Sequence, residues 1–111
     1  MAEPARSGDP FQALGDPHRR AIIELLSRRS RSVRELSDEL PISRPAVSRH
    51  LRLLKDAGLV SDRPQGTRRI YEVRASGIGP MRAYLEEVWG EAVVRFRIAA
   101  ENTEGSSEAS E

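Results

Sequence analysis

A helix with clear signals at both ends, between Ser43 and Gly58, constrains this chain more than any other feature of its sequence. Ser43 is a good N-cap, Pro45 fits only the first turn of a helix, and Gly58 is the residue expected just past a helix end. We therefore predict a helix over residues 44–57.

The two sides of this predicted helix have different chemistry. Apolar residues recur at four- and three-residue spacing and form one stripe, made of Val47, Leu51 and Leu54. The remaining surface is basic and hydroxyl-bearing, and it carries no acid before Asp56. Such a surface suits the DNA major groove, where arginine reaches guanine edges and serine reaches bases or phosphates. The alternative is a solvated basic face without a DNA partner, and the residues that follow favour DNA.

Three shorter helices are predicted before this one. Proline and acid or serine caps mark their starts, and Ser32 with Glu35 forms a capping-box pattern. Their predicted ranges are residues 10–15, residues 17 to between 27 and 30, and residues 33–40. Because only Pro41 and Ile42 separate the third helix from Ser43, the last two helices should form a helix-turn-helix with residues 44–57 as the reading helix.

Two strands are predicted after Gly58, over residues 59–63 and 67–73, with Pro64-Gln65-Gly66 as the turn between them. This hairpin carries arginines near its tip and would lie as a wing against the DNA backbone or minor groove. The residues predicted to contact DNA, from the helix and the wing together, are Ser43, Arg44, Pro45, Ser48, Arg49, Arg52, Arg63, Gln65, Gly66, Thr67, Arg68 and Arg69.

A closing helix is predicted from Met81 to about Ala100, and its apolar stripe is wider than one small domain needs. We therefore predict that it pairs with a second copy of the chain, together with the short first helix. A helix that only closes its own core is the alternative. The residues predicted at the dimer interface are Phe11, Leu14, Met81, Tyr84, Leu85, Val88, Trp89, Ala92 and Phe96.

Composition places these elements in one domain over residues 9–100, between a flexible segment 1–8 and a disordered acidic tail 101–111. The net charge of +1 hides a segregation, because residues 43–74 carry eight basic against three acidic side chains. Cysteine is absent from the chain, so disulfide and thiolate chemistry are excluded. With no apolar run long enough for a signal or a membrane span, we expect a cytoplasmic protein.

The order of elements, α-α-α-α-β-β-α, resembles that of the bacterial winged helix-turn-helix repressors of the ArsR (ArsR/SmtB) family. The resemblance covers residues 11–100, and its most specific parts are LGDPHRRAI at 14–22, SRPAVSRHL at 43–51, AGLV at 57–60 and GTRRIY at 66–71. It implies a mainly α fold with a two-stranded β-wing. It also implies a homodimer that represses transcription at a near-palindromic operator in double-stranded DNA and is released by a signal.

The sequence departs from the metal-sensing members that it resembles. Those members place cysteines at positions matching Ser32 and Arg34, and others place Asp and His on the closing helix, which has no histidine here. We therefore expect no required cofactor and no strong metal site. His18, near Asp16, is a weak candidate ligand for Ni or Zn, whereas His50 lies at the edge of the apolar stripe and has a predicted structural role.

The sequence also bears on three other functions. An enzyme is not expected, because Ser43 serves as a cap and no acid is spaced to orient the imidazole of His50. A metal-responsive repressor with a weak site of nitrogen and oxygen ligands is one rival. A winged helix that binds protein rather than DNA is the other, and a protein co-regulator could carry the signal. The prediction that we favour is a DNA-binding repressor.

Overall fold

The computed structural model describes the backbone of residues 8–109 and the side chains of residues 8–92 and 94–102. The predicted flexible segment 1–8 therefore lies outside the described residues except for Gly8, as do the last two residues of the predicted tail. The described chain divides after Gly79 into two compact units, and each is described by itself.

The first unit contains four helices and three strands. The helices are α1 (Pro10–Ala13), α2 (Pro17–Arg28), α3 (Val33–Glu39) and α4 (Arg44–Asp56); the strands are β1 (Arg31–Ser32), β2 (Val60–Gln65) and β3 (Arg68–Val73). A single 3-10 turn, Ala75–Ile78, follows β3. The mainly helical fold with a small antiparallel wing, predicted from the sequence, is confirmed.

Helix starts form where the capping residues predict them. The Asp16 carboxylate accepts hydrogen bonds from the backbone N–H groups of His18 (2.8 Å) and Arg19 (3.2 Å). Ser32 and Glu35 make both bonds of the capping box. Ser43 Oγ accepts from the Ala46 N–H at 3.3 Å. Each bond satisfies a donor that the first turn of a helix leaves unpaired, which is why these boundaries are readable from sequence.

The core of the first unit forms between α2, α3, α4 and the sheet. Its fully buried side chains come from the apolar stripes of the helices and from the start of β2: Ile22, Leu36, Val47, Leu51, Leu54 and Val60. Burying the stripe of α4 leaves the opposite side of that helix facing solvent. The core therefore fixes which side chains of α4 are available to a partner.

Strand β1 was not predicted. It pairs antiparallel with β3, with Arg31 opposite Tyr71 and Ser32 opposite Ile70, and the strand order is β1-β3-β2. Arg31 is 6% exposed and forms an ion pair with Glu39 of α3. A strand of two residues is too short to show a periodic pattern in the sequence. It forms because the edge of β3 offers backbone groups with which it can pair.

The turn of the hairpin is shorter than predicted. Pro64 and Gln65 continue β2, with Gln65 opposite Arg68, so the predicted turn Pro64-Gln65-Gly66 is wrong and the loop is Gly66 and Thr67. Gly66 has a φ of 65°, in the left-handed region that glycine tolerates and that two-residue hairpin loops require. Proline fits β2 because that strand lies at the edge of the sheet.

The second unit is the long helix α5, Gly79–Ala109, which begins two residues before Met81 and ends nine residues after Ala100. Its predicted end was therefore too early, and the helix continues into the segment predicted to be a disordered tail. No proline interrupts residues 101–109, so nothing in this segment breaks the hydrogen-bond pattern of the helix. Within the described residues, no helix combines the length and hydropathy needed to cross a bilayer.

Gly77 is a point of close backbone packing. A Cβ atom at this position would overlap the carbonyl oxygen of Gly58 and lie 2.8 Å from its carbonyl carbon. We expect Gly77→Ala to destabilise the fold by about 3 kcal/mol, because backbone atoms rather than a mobile side chain must move. The matched control is Gly79→Ala, where nothing lies within 4 Å, and it should be neutral or slightly stabilising. Urea unfolding at one protein concentration measures both, and equal midpoints would contradict this packing.

Candidate nucleic-acid interface

The exposed side of α4 carries the polar residues predicted to meet DNA. Every one of the predicted helix positions is exposed: Ser43, Arg44, Pro45, Ser48, Arg49 and Arg52. On the opposite side Val47, Leu51 and Leu54 are 0% exposed. The helix is therefore anchored by one side and presents arginine and serine on the other.

The wing residues predicted to meet DNA are also exposed: Arg63, Gln65, Gly66, Thr67, Arg68 and Arg69. Arg63 donates a hydrogen bond to Gln65 Oε1 at 3.3 Å, which joins two of them on the same strand. Arginine thus stands on both strands of the hairpin, with Arg63 on β2 and Arg68 and Arg69 on β3.

A groove of about 550 Å³ separates the start of α4 from the wing. Its lining comes from three elements: the beginning of α3, the first turns of α4, and β3. Arg34, Arg44, Arg68 and Arg69 are four of its lining side chains. Of the residues predicted to contact DNA, five line this groove, Arg44, Pro45, Ser48, Arg68 and Arg69, and the other seven do not.

One carboxylate connects α4 to the wing. Asp62 Oδ2 accepts a hydrogen bond from Arg69 Nε at 2.6 Å, and Asp62 Oδ1 lies 2.9 Å from Lys55 Nζ. The Asp62 side chain is only 7% exposed, and hydrogen bonds first from Arg69 and then from Lys55 hold its pKa below the ordinary value. We call Lys55, Asp62 and Arg69 the Asp62 bridge. Sequence reasoning missed it, because an acid among basic wing residues gives no sign of its partners.

His50 lies on α4 beside the start of α2. Its Nδ1 accepts a hydrogen bond from Arg19 Nη1 at 3.3 Å, and Arg19 Nε donates to the Ala13 carbonyl at 2.6 Å. Burial is the main cause that lowers the pKa of His50, and the Arg19 guanidinium acts in the same direction while the Asp16 carboxylate opposes it. The half-buried, hydrogen-bonded His50 fits its predicted structural role.

The residues at the metal positions of the resembling repressors do not fit a metal. Ser32 is buried and its hydroxyl accepts the N–H of Glu35 at 3.2 Å, while Arg34 is exposed and cationic. Neither side chain is a ligand for a soft divalent ion. A site of that kind cannot form at the start of α3.

Most of the residues predicted at the dimer interface are exposed, although Leu14 and Met81 are half-buried. On α5, considered by itself, the exposed ones include Tyr84, Leu85, Val88, Trp89 and Phe96, with Phe96 76% exposed. In the first unit Phe11 is 41% exposed and Leu14 is half-buried. An exposed apolar stripe of this kind on a helix is typical of a contact with a partner.

Residues 16–62 match the family model described as bacterial regulatory protein, arsR family. The HTH-type transcriptional regulator Rv2034 of Mycobacterium tuberculosis is 48% identical over 86 residues, which cover 78% of this chain and 80% of that protein.

Two solved structures are similar to this fold. A crystal structure described as a possible transcriptional regulator for arsenical resistance has a TM-score of 0.68 and 33% identity, covering 82% of this chain and 95% of its own. The homodimeric winged helix-turn-helix DNA-binding domain Mb0332 of Mycobacterium bovis, solved by NMR, has a TM-score of 0.59 and 28% identity, with 80% of each chain covered.

Proposed function

Because this chain belongs to the ArsR family of DNA-binding transcriptional regulators and is not an enzyme, we propose that it is a repressor that binds its operator as a homodimer. In this proposal α4 enters the major groove and the wing lies on the adjacent backbone or minor groove. The observation that carries it is the exposed arginine and serine side of α4, held opposite a fully buried apolar side.

In this proposal the exposed side of α4 contacts bases, and the groove between α4 and the wing contacts phosphates. Ser48 and Arg49 lie on the exposed side of α4, where side chains of a reading helix meet base edges. Arg44 and Arg68 line the groove between helix and wing and suit phosphate oxygens. Arg69 is already bonded to Asp62, so in the free protein its charge is partly neutralised. Arg68 is therefore the stronger phosphate ligand of the two.

A second protomer would supply the reading helix for the second half-site of the operator. We propose that α5, with Phe11 and Leu14 of the first unit, covers its apolar surface against a second copy. The similar Mb0332 domain is homodimeric, which supports this proposal. Two reading helices related by a twofold axis would address half-sites about 34 Å apart in a near-palindrome. An experiment that tests the whole proposal is a mobility-shift assay on the DNA upstream of the protein's own coding region, with an unrelated duplex as control.

Arg49 and Arg68 should differ in what they contribute to binding. Arg49→Ala should lower the preference for operator over unrelated DNA by about 1–3 kcal/mol, because an arginine that reads guanine discriminates between bases. Arg68→Ala should weaken binding to all DNA sequences alike. The measurement is affinity for operator and for scrambled duplex at one salt concentration. Equal losses on both duplexes for Arg49→Ala would show that α4 is not the reading helix.

The proposal requires no cofactor and places the protein in the cytoplasm. The releasing signal is carried either by a partner protein or by weak binding of Ni or Zn at His18, the metal-responsive alternative. A specific observation favours the metal: His18 is not isolated but lies beside Asp16 and His50.

A further inference from the structure

Three potential metal ligands meet where the start of α2 lies against α4. Asp16 is the N-cap of α2, His18 is in its first turn, and His50 is on α4; one ligand atom from each lies within 4.8 Å of the other two. The two imidazole rings are 5.8 Å apart between centroids and are tilted by 48°. The cluster therefore joins two helices.

The distances allow one ion to be shared after a small adjustment. Tetrahedral bonds of about 2.1 Å to a zinc ion place two of its ligands roughly 3.4 Å apart, so closure from 4.8 Å needs a shift of up to about 1.4 Å. The side chain of His18 is exposed and can supply that shift by rotation. Asp16 uses Oδ1 to cap the helix, which leaves Oδ2 for an ion.

The charge states of the other two ligands also suit a cation. Partial burial acts to raise the pKa of Asp16, but the backbone N–H groups of Arg19 and His18 outweigh it and the net shift is downward. The lowered pKa of His50 favours its neutral form, which is the form that binds metals.

The guanidinium of Arg19 opposes the binding of a cation at this cluster. Arg19 donates to His50 Nδ1 at 3.3 Å, which assigns the lone pair of that nitrogen to a hydrogen bond and places a positive charge at the cluster. An ion must therefore displace the guanidinium of Arg19 or bind beside it. Arg20, the next residue, has no such contact, although it donates to the Leu14 carbonyl at 2.6 Å as Arg19 donates to Ala13.

We propose that Asp16, His18 and His50 form a divalent transition-metal site for zinc or nickel, with water completing the coordination and with Arg19 limiting its affinity. Imidazole and carboxylate ligands suit both ions, whereas Mg²⁺ prefers an all-oxygen set. This site differs from the cysteine and closing-helix sites implied by the family resemblance, since its ligands come from α2 and α4.

The site would connect metal binding to DNA binding. His50 follows Arg49 directly on α4, so an ion that draws His50 towards the start of α2 acts on the helix proposed to read DNA. Coupling of the usual size would change operator affinity about 5- to 150-fold. This step rests on the proposed function, whereas metal binding itself does not.

The first test is calorimetric titration of the full chain with ZnCl₂, NiCl₂ and MgCl₂ in the absence of DNA. We expect one zinc or nickel ion per protomer, no magnesium, and at least tenfold weaker binding in His18→Ala, whose exposed position should leave folding intact. Absence of zinc and nickel binding, or unchanged affinity in His18→Ala, would overturn the site.

A second pair of variants tests the role of Arg19. Arg19→Gln should tighten zinc binding about tenfold, because a charge close to the ion is removed, while Arg20→Gln should not change it. Both variants lose a hydrogen bond to a carbonyl near the end of α1, but only Arg19→Gln also loses the contact with His50. Equal effects would contradict the proposal. Repeating the mobility shift with zinc then measures the coupling, and failure of DNA binding alone would leave the metal result standing.

Discussion

Raising the monovalent salt concentration from about 50 to about 200 mM should weaken operator binding roughly a thousandfold. Each phosphate that a basic side chain neutralises releases counterions, and about six contacts per dimer give a loss of that size. The exposed arginines of α4 and the wing supply enough charges for this number across two protomers. Fluorescence anisotropy with labelled operator, at a series of salt concentrations, gives the slope directly.

A matched pair of variants locates the charges responsible. Arg68→Ala should reduce the salt slope by about one unit for each phosphate contact removed. Arg28→Ala, at the end of α2 and outside the proposed interface, should leave the slope unchanged. A binding constant that does not depend on salt would instead support the alternative of a winged helix that binds protein.

Val88→Glu should convert the proposed dimer into a monomer. Val88 lies in the middle of the apolar stripe of α5 and is half exposed there. Because the two copies contribute the same surface to a twofold interface, one substitution introduces two carboxylates into it. An unpaired buried charge costs about 3–5 kcal/mol, so the dissociation constant should rise at least a hundredfold. Sedimentation equilibrium over a range of protein concentrations measures the change.

Ala83→Glu is the control for Val88→Glu. Ala83 is exposed on the other side of the same helix, outside the proposed interface, and the substitution adds the same charge. It should leave the dimer intact. If Val88→Glu also remained dimeric, with operator affinity unchanged, the apolar stripe of α5 would not be the interface.

The sequence predicts best those features that are determined locally. Asp16, Ser32 and Ser43 cap the helices that they were expected to cap, because the bonds involved span only two or three residues. The apolar stripe of α4 predicts its buried side for the same reason. Strand β1 depends on an edge supplied by β3, nearly forty residues further along the chain, and no local pattern reports that.

In the candidate interface, too, the features that are local in sequence are predicted and those that depend on packing are not. The basic helix and the basic hairpin are visible in the sequence, but the groove that they share appears only when the chain is folded. His18 was considered as a ligand because it is close to Asp16 in sequence. Its proximity to His50 could not be predicted, since 32 positions separate the two histidines and only the packing of α2 on α4 brings them together.

The Asp62 bridge has a consequence for the speed with which the protein finds its site. Lys55 on α4 and Arg69 on β3 bind the same nearly buried carboxylate, so the orientation of the wing relative to the helix is set in the free protein. The hairpin therefore loses its conformational entropy when the chain folds. DNA binding does not have to order it and is not weakened by that cost. Association can then proceed as rigid docking, at a rate governed by diffusion and electrostatic attraction rather than by a rearrangement of the hairpin.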